Sequence, residues 1–213
     1  MKVDENKQPL ISIDVVPVRF NAATGALEVG TGRRLFEPFV GQQALPGVLL
    51  MQGESIDHAA SRALNSKTGI LGEHSGYITQ LGAFDGTNRD PRGATISIAL
   101  LSVQEFGRSP STRVVWTPVG ESEGLPFDHD AIVKAAITRL AQSLWVDVEA
   151  TKMLLGKSFS TSDAIDLSKA LGSWPTDASN FGRWLASNKS VVKSEGTSGS
   201  SGRGRPSAMW RWA

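Results

Sequence analysis

Hydrophobic and polar positions change period along the chain, and the changes outline its elements. Leu10 to Val18, LISIDVVPV, is rich in β-branched residues and partly alternating, the pattern of a strand. Asn21 to Gly25 supplies a turn, and Leu27 to Leu35 reads as the returning strand of a hairpin. A loop, EPFVGQQALPG, is expected from Glu37 to Gly47. From Ser55 to Thr68 the period becomes helical, with Ile56, Ala59, Ala60 and Leu64 on one face and Gly69 as the stop. Tyr77 to Phe84, Ala94 to Val103 and Arg113 to Val119 are further predicted strands, the first two separated by a polar loop.

After Leu125 the character changes. Ile132, Val133, Ala136, Ile137, Leu140 and Leu144 mark a long amphipathic helix that follows the acidic turn Asp128-His129-Asp130. Ser160 or Thr161 can cap a helix through Leu171, and Thr176 or Asp177 another through about Asn188. Val191 to Lys193 and Ala208 to Trp212 are short extended pieces around the loop GTSGSSGRGRP. Three helices followed by a strand pair enclosing a basic loop give the element order of a winged helix-turn-helix. The expected division is therefore 1–125 and 126–213.

The chain has 213 residues, 40% of them hydrophobic and 20% charged, enough apolar material for one large or two small domains. It has no apolar run long enough to span a bilayer, and MKVDENKQP is too polar for a signal peptide, so no membrane association and a cytoplasmic location are expected. With no cysteine and only His58, His74 and His129, a disulfide framework, a thiolate zinc site and a cysteine nucleophile are excluded. The net charge of +1 hides an asymmetry: residues 151–213 hold nine Lys/Arg against four Asp/Glu, and the rest hold 13 against 17. A sensor joined to a nucleic-acid reader has this distribution. Uneven surface charge without a partner is the alternative.

Ala44 to Ile70, ALPGVLLMQGESIDHAASRALNSKTGI, resembles a Nudix box, the loop-helix-loop signature of hydrolases that cut nucleoside diphosphates linked to another group. Glu54, Arg62, Leu64, Gly69 and Ile70 match the box. Its glycine is Val48 here, and its three downstream glutamates fall on Ala63, Ser66 and Lys67. Pyrophosphate hydrolysis needs divalent cations held by several carboxylate oxygens, and a lysine at such a position repels them. The expectation is a frame that binds a nucleotide without cleaving it, with no metal and no cofactor.

RRLFEPFVGQQALPG before the box and TNRDPRGATISIALLSV after it resemble one subgroup, the Nudix-related transcriptional regulators of NAD metabolism, the NrtR family. So do Pro126-Phe127-Asp128-His129 ahead of the long helix and, at the end of the chain, Gly204-Arg205-Pro206 with Met209-Trp210-Arg211-Trp212. The resemblance covers about Leu10 to Trp212; Gln43, where tryptophan is frequent, and the long Gly/Ser wing depart from it. It implies an α+β fold: a Nudix α/β/α sandwich with a mixed sheet, followed by a winged helix.

The implied function is regulation, as a repressor, of NAD biosynthesis or salvage genes. The implied partners are double-stranded operator DNA, a nucleotide effector such as ADP-ribose, and a second copy in a homodimer. Arg34, Arg89 and Arg92 are candidates for the ligand's phosphates because guanidinium groups grip phosphate bidentately. Phe36 and Phe39 are candidates for the base slot, Asp90 and Asp128 for orienting arginines or ribose hydroxyls, and Glu54 and Arg62 for the retained box. Each has a plainer reading: solvated arginines, core aromatics, and turn or helix-start caps. His129 either donates to the ligand or locks the long helix.

In the second part Ser179, Asn180 and Arg183 open the expected recognition helix, with Phe181, Trp184 and Leu185 facing the core. Lys189, Arg203, Arg205 and Arg211 are placed to meet phosphates. A solvated basic face is the alternative. Two other functions remain open at this level: a divergent Nudix hydrolase using Glu54 and a carboxylate such as Asp57, and an adaptor whose basic tail binds protein or RNA.

Overall fold

The computed structural model of the chain describes residues 8–71, 76–106, 111–172, 178–197 and 207–213. A seven-stranded mixed sheet is built on β1 (Leu10–Asn21) and β6 (Thr95–Val103), which run parallel in register from Leu10 opposite Thr95 to Val18 opposite Val103. On the other side of β1 lie β4 (Gly47–Leu49), opposite its first half, and β2 (Ala26–Arg33), opposite its second. The short β3 (Gln43–Ala44) and β7 (Val114–Pro118) pair with β2, and β5 (Tyr77–Phe84) pairs antiparallel with β6.

Strand alternation divides the apolar residues between the two faces of this sheet. Ile13, Val15 and Leu100 pack with Ala59, Ala60, Ala63 and Leu64 of helix α1 (Ile56–Thr68). Three alanines on that face let the helix lie close to the strands. Ser55 caps α1 by accepting from His58 N, and Gly69 closes it in the left-handed conformation. Val16, Val18, Phe20, Leu101 and Val103 face the other way, onto Ile132, Val133, Ala136 and Leu140 of α2 (His129–Ser143).

The second core does not stop at α2. It runs on through α3 (Val148–Leu155), β8 (Ser158–Ser160), α4 (Thr161–Ala170), α5 (Ala178–Ser187), β9 (Val191–Thr197) and β10 (Ala208–Trp212), taking in Leu154, Phe159, Leu167, Phe181, Leu185 and Trp210. β8, β10 and β9 form a three-stranded sheet in that order. Trp145, which follows α2, sits among Phe159, Phe181, Trp184 and Trp212 with ring centroids 5.3–6.2 Å away. The Trp210 and Trp212 indoles donate to Thr161 Oγ1 and the Gly156 carbonyl, at 2.8 and 2.7 Å. Ser160 and Asp163 cap α4 reciprocally.

Several expected boundaries move. β2 ends at Arg33 rather than Leu35, because Arg34 turns the chain: its N–H donates to the Gln42 carbonyl and its carbonyl accepts from Gly41. The loop expected at 37–47 contains β3 and the start of β4. Neither α3 nor β8 was expected. Thr176 and Asp177, expected to cap α5, lie outside the described residues. Among the described residues no helix is long and apolar enough to cross a membrane.

Candidate functional site

A cavity of about 380 Å³ opens where the first half of β1 meets the start of α2. Its floor is Asp14, whose place on the α2 face of β1 puts a carboxylate where its neighbours are apolar. Asp14 accepts from Ser97 Oγ at 2.6 Å and Ser12 Oγ at 3.0 Å. Gly47 is needed here, since a Cβ at that position would stand 2.0 Å from Asp14 Oδ1. Arg89, buried, donates to both oxygens of Asp128 at 2.9 Å and to Asp14 at 3.3 Å. Burial alone would lower its pKa, but the Asp128 and Asp14 carboxylates raise it.

Asp128 is the N-cap residue of α2, yet its side chain makes no capping bond; the carboxylate is held by Arg89 instead. His129 is buried, and its Nδ1 accepts from the Leu45 backbone N–H at 3.1 Å. That bond requires an unprotonated Nδ1, and burial pushes the imidazole pKa down. A neutral His129 thus ties α2 to the segment leading into β4 while also lining the cavity.

The rim is aromatic and cationic. Phe127, with φ of 64°, carries the Phe39 ring edge-on at 5.0 Å and the Arg34 guanidinium over its face at 4.7 Å. Arg92 approaches the same ring at 5.8 Å while bonding Asp90 at 2.6 Å. Arg34 has no such carboxylate among the described residues: it donates to the Pro38 and Phe36 carbonyls, at 2.7 and 3.4 Å. Burial and the neighbouring Arg92 both lower its pKa.

The cavity therefore brings together Arg34, Phe36, Arg62, Arg89, Asp90, Arg92 and His129 from the expected set. Three expected residues do not line it: Asp128, whose carboxylate is held by Arg89, and Phe39 and Glu54. Phe39 only supports Phe127 from behind, and Glu54 is consumed locally. Arg62 donates to both Glu54 oxygens at 2.7 and 2.8 Å and Met51 N to one of them, which holds the carboxyl down to about 2. Exposed His58 adds a contact at 3.0 Å.

Ala63, where the box has a glutamate, is fully buried in the α1 core. Among the described residues no three His, Asp or Glu side chains are grouped to hold a metal. Sequence reasoning missed Asp14 and Phe127 as site residues. The signal for Asp14 was present: a carboxylate in the middle of an apolar strand is rarely buried without a task.

In the second part Phe181 and Leu185 are buried under α5, leaving Asn180 and Arg183 on its exposed side, where Arg183 donates to Asn180 Oδ1. Lys189, in the turn after α5, and Arg211 on β10 are also exposed. Arg203 and Arg205 lie outside the described residues, as does the side chain of Ser179. α4 lies against the β1–β2 hairpin, with the Asp166 side chain at Gly25. Tyr77 donates to Asp147 at 2.6 Å, joining β5 to the cap of α3.

No family model matches the chain. Over 141 residues, 62% of its length, it is 28% identical to an ADPR-responsive transcriptional repressor, NtrR, of Acinetobacter baylyi, covering 54% of that protein. Over 106 residues, 48% of its length, it is 29% identical to an ADP-ribose pyrophosphatase of Methanocaldococcus jannaschii, covering 61% of that protein. The chain thus spans less than two thirds of either curated relative. Shewanella oneidensis NrtR, solved with a 27mer DNA, superposes with a TM-score of 0.74 at 22% identity, over 95% of this chain and 93% of that one. The chain has the fold of the NrtR-type regulators and is related to them. The shared fold runs through both parts, so the arrangement of a Nudix-like sheet and a winged helix is common to the two proteins.

Proposed function

We propose that this protein is a transcriptional regulator in which a Nudix-like cavity binds ADP-ribose or a related nucleotide without hydrolysing it and a winged helix binds operator DNA. The genes it would repress are those of NAD biosynthesis or salvage, acting as a cytoplasmic homodimer on paired half-sites. The observation that carries this reading is the placement of α2. Asp128 and His129 at its start hold the cavity floor, and Trp145 just past its end stands in the aromatic core that backs α5. One helix of 15 residues, roughly 22 Å long, has an end in each place.

The box supports the absence of hydrolysis. Glu54, its one retained glutamate, is bonded to Arg62, and the three other glutamate positions carry no carboxylate. Similarity to the pyrophosphatase from M. jannaschii favours the alternative of a divergent hydrolase, but of the three carboxylates that line the cavity among the described residues, Asp14, Glu37 and Asp90, the first and last are each engaged by an arginine. Asn180, Arg183, Lys189 and Arg211 are the proposed DNA contacts among the described residues, with Ser179, Arg203 and Arg205 beside them in sequence.

Fluorescence anisotropy on promoter DNA of NAD biosynthesis or salvage genes, with and without ADP-ribose, tests the reading. Specific binding whose affinity ADP-ribose changes five-fold or more is expected, in the range of about 1–3 kcal/mol typical of allosteric coupling. No preference for such DNA over random sequence, or metal-dependent ADP-ribose turnover, would overturn it.

A further inference from the structure

The cavity continues past Lys67 into a second chamber of about 280 Å³. The two chambers share Arg34, Phe36, Leu45, Gly47 and Lys67. Arg33 and Arg113 line only the second, which has no Asp or Glu in its wall among the described residues, whereas the first has Asp14, Glu37 and Asp90. The charge of the cleft is thus sorted along its length.

The sheet register explains how four cations reach one place. Gly32 on β2 pairs with Val114 on β7, so Arg33 at the end of β2 and Arg34 just past it follow the pairing, and Arg113 immediately precedes β7. Gly32 also brings β2 against the last turn of α1, where a Cβ would stand 2.6 Å from the Lys67 carbonyl oxygen. Arg113 donates to the carbonyls of Asn65 and Ser66, at 3.2 and 3.5 Å, and Arg34 donates to carbonyls as well. Lys67 has no side-chain partner among the described residues. Carbonyl oxygens satisfy N–H groups without neutralising a charge, so the chamber holds positive charge that no carboxylate of its wall cancels among the described residues.

Resting on the nucleotide-binding reading, we infer that this second chamber is a metal-independent oxyanion site that takes the ligand's diphosphate, with Lys67 supplying the positive charge where a hydrolase of this fold carries a metal-binding glutamate. Phosphate oxygens match what the chamber offers: a point charge from Lys67 and forked donors from Arg113 and Arg34. The first chamber, with its aromatic rim and with Asp14 and Asp90 already engaged by arginines, suits the uncharged nucleoside.

Calorimetric titration of the full chain in EDTA tests this, with inorganic pyrophosphate and ADP-ribose as probes and Lys67→Ala and Arg113→Ala as variants. Both residues are exposed, and unchanged thermal unfolding checks that the variants fold. Both probes are expected to bind without metal, and each variant is expected to weaken both by about tenfold, one lost charge-assisted hydrogen bond. Binding that requires added Mg²⁺, or variants that bind both probes as the parent does, would overturn the site. If pyrophosphate binds and is lost in the variants while ADP-ribose does not bind, the oxyanion site stands and the nucleotide reading falls. ADP-ribose binding that ignores both substitutions has the opposite meaning.

Discussion

Replacing Arg89 by methionine tests whether the cavity floor is held by charge. The Arg89 side chain is 4% exposed, and it bonds both Asp128 oxygens and Asp14, whose own side chain is 8% exposed. Methionine fills much of the same volume but leaves two carboxylates facing each other with no cation between them. Removing one member of a buried ion pair costs about 3–5 kcal/mol, because the surviving charge is stranded. Asp128 is 22% exposed and recovers some hydration, so the lower part of that range, about 3 kcal/mol, is expected. Asp14→Asn alone should cost less, roughly 1–2 kcal/mol, since Asp128 still neutralises the arginine.

The double variant should be more stable than the sum of the two losses predicts, by about 1–2 kcal/mol, because the stranded carboxylate has gone. Urea unfolding of the four proteins, read as midpoint shifts at constant slope, measures each quantity. An Arg89→Met loss below about 1 kcal/mol, or strict additivity, would refute the argument and return Arg89 to the ligand's phosphates.

Two further outcomes follow from the same structure. Because the folded pKa of His129 is depressed by burial, the folded chain binds fewer protons than the unfolded one; the stabilisation is complete above the unfolded value near 6.5 and is lost as pH falls through the lower folded value. The unfolding midpoint should therefore drop on acidification from about pH 7 to 5, and His129→Asn should flatten that slope; an unchanged slope would show that another group carries it. On DNA, Arg183→Ala should weaken a specific operator more than random sequence, and Lys189→Ala should weaken both and reduce the salt dependence by about one phosphate contact, as gel-shift titrations at two salt concentrations would read. Equal losses for Arg183→Ala on both DNAs would remove it from base reading.

The parts of the fold legible from sequence are those whose pattern is repeated enough to be redundant. β1, β5, β6, α1 and α2 carry four or more residues in phase, and local changes do not hide them, while the five residues of β7 are marked by their β-branched and aromatic composition. β3, β4 and β8 have two or three residues each, too few for any period. α3 is eight residues long, and its inner face includes Ala150 and Thr151, which do not look apolar enough to announce a helix; Asp147 and Gly156 at its ends were the readable marks.

For the cavity, motif matches found the arginines, whose type is tied to phosphate chemistry. They did not show that Arg89 is spent on Asp128, nor that Glu54 faces Arg62 and not the cavity. Those are questions of which neighbour reaches a side chain first, and a linear pattern does not encode them.

The three missing box glutamates are not equivalent losses, and the difference bears on whether hydrolysis could be restored. Ser66 is exposed in the last turn of α1, its hydroxyl donates to the Ala63 carbonyl, and it lines the second chamber, so a carboxylate there would meet no packing but would offset the charge of Arg113 and Lys67. Lys67 lines both chambers, and reversing its sign would exchange an anion site for a cation site at one stroke. Ala63 is different, since it lies at zero exposure in the core shared with Ala59, Ala60, Leu64, Ile13 and Leu100. A glutamate there would start inside that layer and force α1 away from the sheet, with overpacking alone costing about 1–3 kcal/mol and the buried charge adding to it. A metal cluster could not be assembled on α1 without first reopening that packing, so the tight alanine face of the helix itself works against hydrolysis.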